Sequence, residues 1–174
     1  MVQMNIIQAV NSAMHTMFER DETVVSFGED AGYYGGVFRC TSGLQEKFGK
    51  HRSFDTPLAE GGIMGIAIGM GMNGLRPVAE IQFGGFAALA MNALINNAAQ
   101  LRWRWGADVP MVVRIPLGAK TRSGPFHANM IESWFLNDPG LVIVFPSNPQ
   151  DAYDLLVEAA ALPDPVVYLE HLGM

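Results

Sequence analysis

The chain predicts an α/β domain, built on a mostly parallel sheet with helices on both faces. Short apolar runs rich in Val, Ile and Phe alternate with longer segments of helical spacing, and alternation of that kind builds βα units. The runs are apolar enough to be covered on both sides, which suits parallel rather than antiparallel pairing. The length of 174 residues is a single-domain size, large enough to bury a substantial core.

In chain order, residues 4–19 have helical periodicity, with Ile7, Val10, Met14 and Met17 on one face. Residues 23–27 read as a buried strand ending at Gly28, and residues 52–55 as a second strand. Pro57 favours an extended residue before it, so the chain enters the next helix from a strand or turn. That helix covers 60–72 and precedes a strand over 77–81, a helix over 86–104 and a strand over 110–115. A polar, glycine-containing loop over 117–126 follows, and loops at strand C-termini build the site in open α/β sheets. A strand over 141–145, a helix over 149–161 with Pro149 in its first turn, and a strand over 166–169 complete the pattern.

Apolar residues make up 49% of the chain and charged ones 16%, against about 25% charged in ordinary soluble domains. We read this as surface intended for burial against partners, with a large core as the alternative source of part of it. The net charge of −6, with no basic run, excludes a nucleic-acid-binding surface. Cys40 is the sole cysteine, so neither an internal disulfide nor a thiolate metal cluster is expected. Residues 1–10 lack the pattern of a secretory signal, and the apolar run 63–72 is interrupted by glycine and too short for a bilayer. The expectation is a cytoplasmic protein with no membrane segment.

The most informative stretch is Asp55-Thr56-Pro57-Leu58-Ala59-Glu60-Gly61-Gly62-Ile63. The helix that follows carries no charge until Arg76. A helix without a polar face belongs inside a domain or a subunit interface. Glu60 therefore sits in the first turn of a buried helix, where an ionised carboxylate is costly unless a polar group meets it. Position alone also allows a simple cap, helped by the helix dipole. Gly65 and Gly69 are four apart, a spacing that lets another backbone approach closely. No Gly-x-Gly-x-x-Gly follows a strand and no Gly-Lys-Ser/Thr closes a loop, so close packing is favoured over phosphate binding.

The same stretch, with Gly74-Leu75-Arg76-Pro77-Val78-Ala79-Glu80-Ile81-Gln82-Phe83, resembles the β subunit of thiamine-diphosphate-dependent 2-oxo acid dehydrogenases. The resemblance extends through Phe27-Gly28-Glu29-Asp30 and Gly35-Gly36-Val37-Phe38-Arg39 upstream. Downstream it includes Pro139-Gly140-Leu141, Pro146-Ser147-Asn148-Pro149, and Asp164-Pro165-Val166-Val167 with Leu169-Glu170. It implies a transketolase-like pyrimidine-binding domain over 1–174. Family β subunits carry a further C-terminal domain of similar size, which is absent from these residues.

The resemblance implies thiamine diphosphate with Mg²⁺, the diphosphate and metal being held mainly by a partner α subunit. Glu60 matches the glutamate that hydrogen-bonds a ring nitrogen of the aminopyrimidine and promotes its imino tautomer. Phe86 matches an aromatic packed on that ring, although an isolated Phe reads as core. Gln82 is placed near the cofactor, and Glu29 matches a glutamate in the adjoining polar channel. His127 matches a histidine near the substrate and the incoming lipoyl group, where a group titrating near neutrality is useful. Ala128-Asn129 stand where the family usually has Ser-Gln or Ser-Glu. Leu117, Phe126, Met130 and Trp134 are offered as lining of an acyl pocket. No metal ligand is assigned to this chain. The segment 160–165 is one residue shorter than usual, and the structural potassium of some members is not carried over.

The implied partners are the α subunit, a second β subunit and a lipoyl acyltransferase, and the implied reaction is oxidative decarboxylation of a 2-oxo acid. An acetoin- or transketolase-type enzyme subunit and a non-catalytic assembly module remain as alternatives.

Overall fold

The computed structural model describes residues 4–118 and 124–173. The first helix, α1 (Ile6–Arg20), begins at a capping box. Asn5 Oδ1 accepts from Gln8 N at 2.9 Å and Gln8 Oε1 accepts from Asn5 N at 3.1 Å, so two otherwise orphaned donors are satisfied reciprocally. Its buried residues Ile6, Ala9, Val10, Ala13, Met14 and Met17 fall at the expected spacing of three and four. There follow β1 (Val24–Gly28), a short α2 (Leu44–Phe48) not foreseen in the sequence, and β2 (Ser53–Asp55). Then come α3 (Glu60–Met72), with the expected bounds, and β3 (Arg76–Glu80).

The single helix expected over 86–104 is instead a broken path. It runs as a 3-10 segment over Gly84–Leu89, α4 (Met91–Ala93), a π-helical turn over Leu94–Ala98, and α5 (Ala99–Trp105). Asn97 Nδ2 donates to the Asn92 carbonyl at 3.3 Å, and side-chain competition of that kind favours local departures from the α ladder. Gly106, left-handed at φ 66°, closes α5. The next strand, β4 (Val112–Leu117), lies two residues beyond its expected bounds because β6 pairs with it through Leu117. Within the loop expected over 117–126, residues 119–123 lie outside the described residues. Two 3-10 turns, Pro125–His127 and Glu132–Phe135, lead to β5 (Val142–Val144), α6 (Pro149–Ala161) and β6 (Val166–His171). Asn148 caps α6, its side chain accepting from Asp151 N at 2.9 Å.

All six strands are parallel, in the order β2-β1-β3-β4-β6-β5. The chain leaves β1 toward β2 and leaves β3 in the opposite direction, toward β4. The C-terminal ends of β1 and β3 therefore flank a topological switch point, where α/β sheets bind ligands. One face is closed by α1 and α6 over Val24, Val78, Val112, Val166 and Tyr168. The other is closed by α3 and the broken helical path over Val25, Phe27, Ala79, Val113, Ile115, Val167 and Leu169.

The sequence places α3 inside a domain or a subunit interface, and within this domain only one side of it is buried. Ile63, Met64, Ala67, Ile68 and Gly71 are buried, but Gly61, Gly62, Gly65, Ile66, Gly69 and Met72 are exposed. Among the described residues nothing lies within 4 Å of a Cβ placed on Gly65 or Gly69. The glycine spacing thus serves no packing within this domain, and the helix presents an open apolar face.

The α1/α6 face changes character along the strands. Alternate residues share a face, so Val24, Val78, Val112 and Tyr168 are followed two residues on by Ser26, Glu80, Arg114 and Glu170, all buried. Arg114 donates from Nε to Glu170 Oε1 at 2.6 Å, from Nη2 to Glu170 Oε2 at 2.9 Å, and from Nη1 to Glu80 Oε2 at 2.8 Å. Burial pushes the Glu80 carboxyl up, opposed by Arg114. Burial draws the Arg114 guanidinium down, but the negative groups around it carry its value well above the ordinary one. Truncating one member of a buried charged set leaves the others uncompensated, at about 3–5 kcal/mol. Arg114→Met should cost about that much stability, read as a lowered urea midpoint, with Arg114→Lys milder.

Candidate functional site

Glu60 is the first residue of α3 and is buried at 6% exposure. Its N-cap, Ala59, has no side chain able to bond the first turn, so the carboxylate is the polar group at this helix end. Gly61 brings α3 against the segment that carries Phe86, since a Cβ there would stand 3.2 Å from the Leu89 carbonyl oxygen.

Glu29 directly follows β1. Gly28 pairs with Glu80, and a Cβ at Gly28 would meet the Glu80 carbonyl oxygen at 2.6 Å. Glycine at this position keeps the ends of β1 and β3 in close contact. Glu29 is 3% exposed and neither carboxylate oxygen has a hydrogen-bond partner in the described structure. Burial, then the charges of Glu60, Asp30 and Glu80, push its carboxyl up to about 7. Glu29 and Glu60 therefore act on one another across the switch point. Asp30 follows in a left-handed conformation at φ 56°, which Asp tolerates better than most residues. The loop beyond is held by Asp55, which accepts from Gly32 N at 2.7 Å and Tyr33 N at 3.1 Å.

Gln82 leaves the end of β3 and turns its amide onto the Glu29-Asp30 turn. Nε2 donates to the Glu29 carbonyl at 3.3 Å and to Asp30 Oδ2 at 3.2 Å. Phe83 and Phe86 then form an aromatic cluster with His127. The His127 ring meets Phe83 edge-on, at a centroid distance of 4.6 Å and an angle of 87°, and Phe86 at 5.5 Å and 77°. Phe38 closes the far side of Phe83 at 5.5 Å and 82°. Gly84 and Gly85 make this closeness possible. A Cβ on either would stand 3.0 Å from a carbonyl oxygen of the His127 segment, that of Asn129 or of Phe126.

Two groups of expected residues are thus brought together. Glu29, Glu60 and Gln82 share the polar side of the switch point, while Phe86 and His127 share the aromatic side. Of the residues offered for an acyl pocket, Leu117 is fully buried, whereas Phe126, Met130 and Trp134 are exposed. Sequence reasoning missed Asp30, Asp55, Phe38 and the placing role of Phe83. Asp after Gly-Glu, and the Gly84-Gly85 pair, were the signals available for a left-handed turn and a close backbone approach. Among the described residues no cluster of His, Cys, Asp or Glu is arranged to hold a metal ion. No described helix is long and apolar enough to cross a membrane.

A six-stranded parallel sheet with paired carboxylates at its switch point defines a class, and sequence comparison agrees with it. The family "Transketolase, pyrimidine binding domain" matches residues 2–173, and the chain belongs to that family. Within it, the chain is similar to β subunits of 2-oxo acid dehydrogenases. It is 52% identical over 169 residues, 96% of the chain, to the 2-oxoisovalerate dehydrogenase subunit beta of Pseudomonas aeruginosa, covering 48% of that protein. It is 47% identical over 176 residues to the pyruvate dehydrogenase E1 component subunit beta of Bacillus subtilis, covering 100% of the chain and 54% of the relative. Against the corresponding subunit of Acholeplasma laidlawii it is 48% identical over 172 residues, 98% of the chain and 53% of the relative. The chain therefore spans about half the length of the curated relatives it matches. A solved structure described as a split-gene transketolase in an inactive β4 tetramer has the same fold. Its TM-score is 0.79 at 19% identity, over 97% of this chain and 51% of that one.

The buried carboxyl has a consequence for stability against pH. Its folded value near 7 lies above the ordinary 4.5, so between those values the folded chain holds more protons than the unfolded one. Stability then falls as pH rises through that window and levels above it. Glu29→Gln should remove this slope, leaving stability little changed below the window and higher than wild type by roughly 1–3 kcal/mol above it. Urea melts across that pH range measure the difference.

Proposed function

We propose that residues 1–174 form the aminopyrimidine-binding domain of a thiamine-diphosphate-dependent 2-oxo acid dehydrogenase β subunit. The observation that carries this is the buried pair Glu60 and Glu29 at the switch point, beside Phe86 and His127, in a chain similar to such subunits. A buried glutamate whose two oxygens lack protein partners fits a site completed by a polar ligand. The aromatic rim formed by Phe83 and Phe86 fits a flat heterocycle. When bound, thiamine diphosphate supplies carbanion stabilisation, and the protein supplies orientation and electrostatics.

Glu60 would hydrogen-bond a ring nitrogen of the pyrimidine, strengthened by exclusion of water at the start of α3. Glu29, whose carboxyl is pushed up to about 7 by burial and by Glu60, Asp30 and Glu80, would lie beside it. Phe86 would pack on the ring, and Gln82 with Glu29 would line its polar edge. His127, held by two phenyl rings, donates to the substrate or to the incoming acyl acceptor. The chain carries no phosphate-cradling motif, which supports an α subunit as holder of the diphosphate and Mg²⁺. The open glycine face of α3 offers a surface for such a partner. A second β subunit, a lipoyl acyltransferase and a cytoplasmic location complete the reading.

Thiamine diphosphate and Mg²⁺ titrated into the chain with a candidate α subunit should produce a near-UV circular dichroism band absent from either protein alone. Glu60→Gln should abolish that band and lower decarboxylation at least ~10²-fold. The absence of any band in the mixture would overturn the reading. His127→Ala should spare dye-coupled decarboxylation more than transfer to a lipoyl acceptor, and equal losses in the two assays would remove the acyl-transfer role.

A further inference from the structure

We infer that Gln82 is a positioning residue that acts through the Glu29-Asp30 turn, and that its amide keeps the Glu29 side chain inside the site. The inference rests on reading Glu29 as a site group and deepens it.

Three features converge on the turn. Asp30 holds a left-handed backbone conformation at φ 56°, which is less stable than the alternatives for a residue with a side chain. Two hydrogen bonds retain it there, from Gln82 Nε2 to Asp30 Oδ2 at 3.2 Å and to the Glu29 carbonyl at 3.3 Å. A third is a backbone bond, from Gly36 N to the Asp30 carbonyl at 2.7 Å. One side-chain amide thus grips the backbone of one residue and the carboxylate of the next, while the opposite side of the turn is pinned by the chain itself. The grip depends on the ends of β1 and β3 lying together, which Gly28 permits.

The consequence falls on the Glu29 carboxyl. Its burial leaves both oxygens without protein partners, so water is the better environment for its charged form. The backbone path through residues 29 and 30 holds it in. Without Gln82, the Glu29 carbonyl and the Asp30 carboxylate lose their shared donor, and the turn can rotate the carboxyl outward. The charged groups acting on Glu29 are Glu60 from α3, Asp30 from its own turn and Glu80 from β3, all negative. Relaxation would therefore release it both from burial and from like charge.

The test follows the Glu29 carboxyl by ¹³C NMR in the full chain without cofactor or partner, assigned by its loss in Glu29→Gln. The wild-type resonance should titrate near 7. In Gln82→Met, which keeps length but has no donor, and in Gln82→Ala, the midpoint should fall by about one unit or more toward an ordinary carboxyl. General destabilisation would not move a native-state midpoint. An unmoved midpoint in either folded variant overturns the inference. Should both variants fail to fold, the wild-type Gln82 side-chain amide decides, assigned by through-space contact with Asp30. Slowed exchange and a shift sharing the Glu29 midpoint support the clamp, and free exchange overturns it. Neither readout needs thiamine diphosphate, so a failed cofactor titration and a failed clamp give different results.

Discussion

Arg114 has no exposed surface, and its guanidinium has exchanged all its water for Glu80 and Glu170. A cation that has lost its hydration must find fixed partners, so β3 and β6 must be held in register on either side of β4. Glu80 is the last residue of β3 and Glu170 the penultimate residue of β6, with Arg114 on β4 between them. The charged layer therefore fixes the end of β3, from which Gln82 and Phe83 depart. Gly36 lies over the same carboxylate, where a Cβ would stand 3.3 Å from Glu80 Oε1. The loop following Glu29 and Asp30 is thus laid on the same charged layer.

That arrangement sets the electrostatics of the site. Glu29 feels the charges of Glu60 and Glu80, and Arg114 is committed to Glu80 and Glu170 on the α1/α6 side of the sheet. The site itself is left with negative charge and little water, conditions under which one carboxyl keeps its proton near neutrality. Asp55 and Gln82 supply the donors and acceptors that hold the intervening turn. On the aromatic side, Phe83, Phe86 and His127 are positioned by ring edges and by two glycines.

Much of this was legible in the chain. Apolar runs and their spacing located all six strands to within two residues, because such runs have to be covered on both faces. The bounds of α3 and α6 were readable from Pro57, Glu60, Asn148 and Pro149. The path after Phe83 was not legible, since nothing in its apolar composition separates a continuous helix from 3-10, α and π segments. Its first segment is set by Gly84 and Gly85 lying under the His127 segment, a contact between residues more than forty positions apart. The open face of α3 was equally hidden, because an all-apolar helix looks the same whether its second side meets its own chain or none.

By itself the sequence determined the fold class and the family, and it named the candidate residues of the site. Periodicity and local turn chemistry depend only on near neighbours along the chain. Tertiary structure alone decided that Glu29 is buried without partners, that Gln82 grips its turn, and that Arg114 joins two glutamates across three strands. Each of these depends on desolvation and on hydrogen-bond geometry between distant residues, and neither exists until the sheet has brought those residues together.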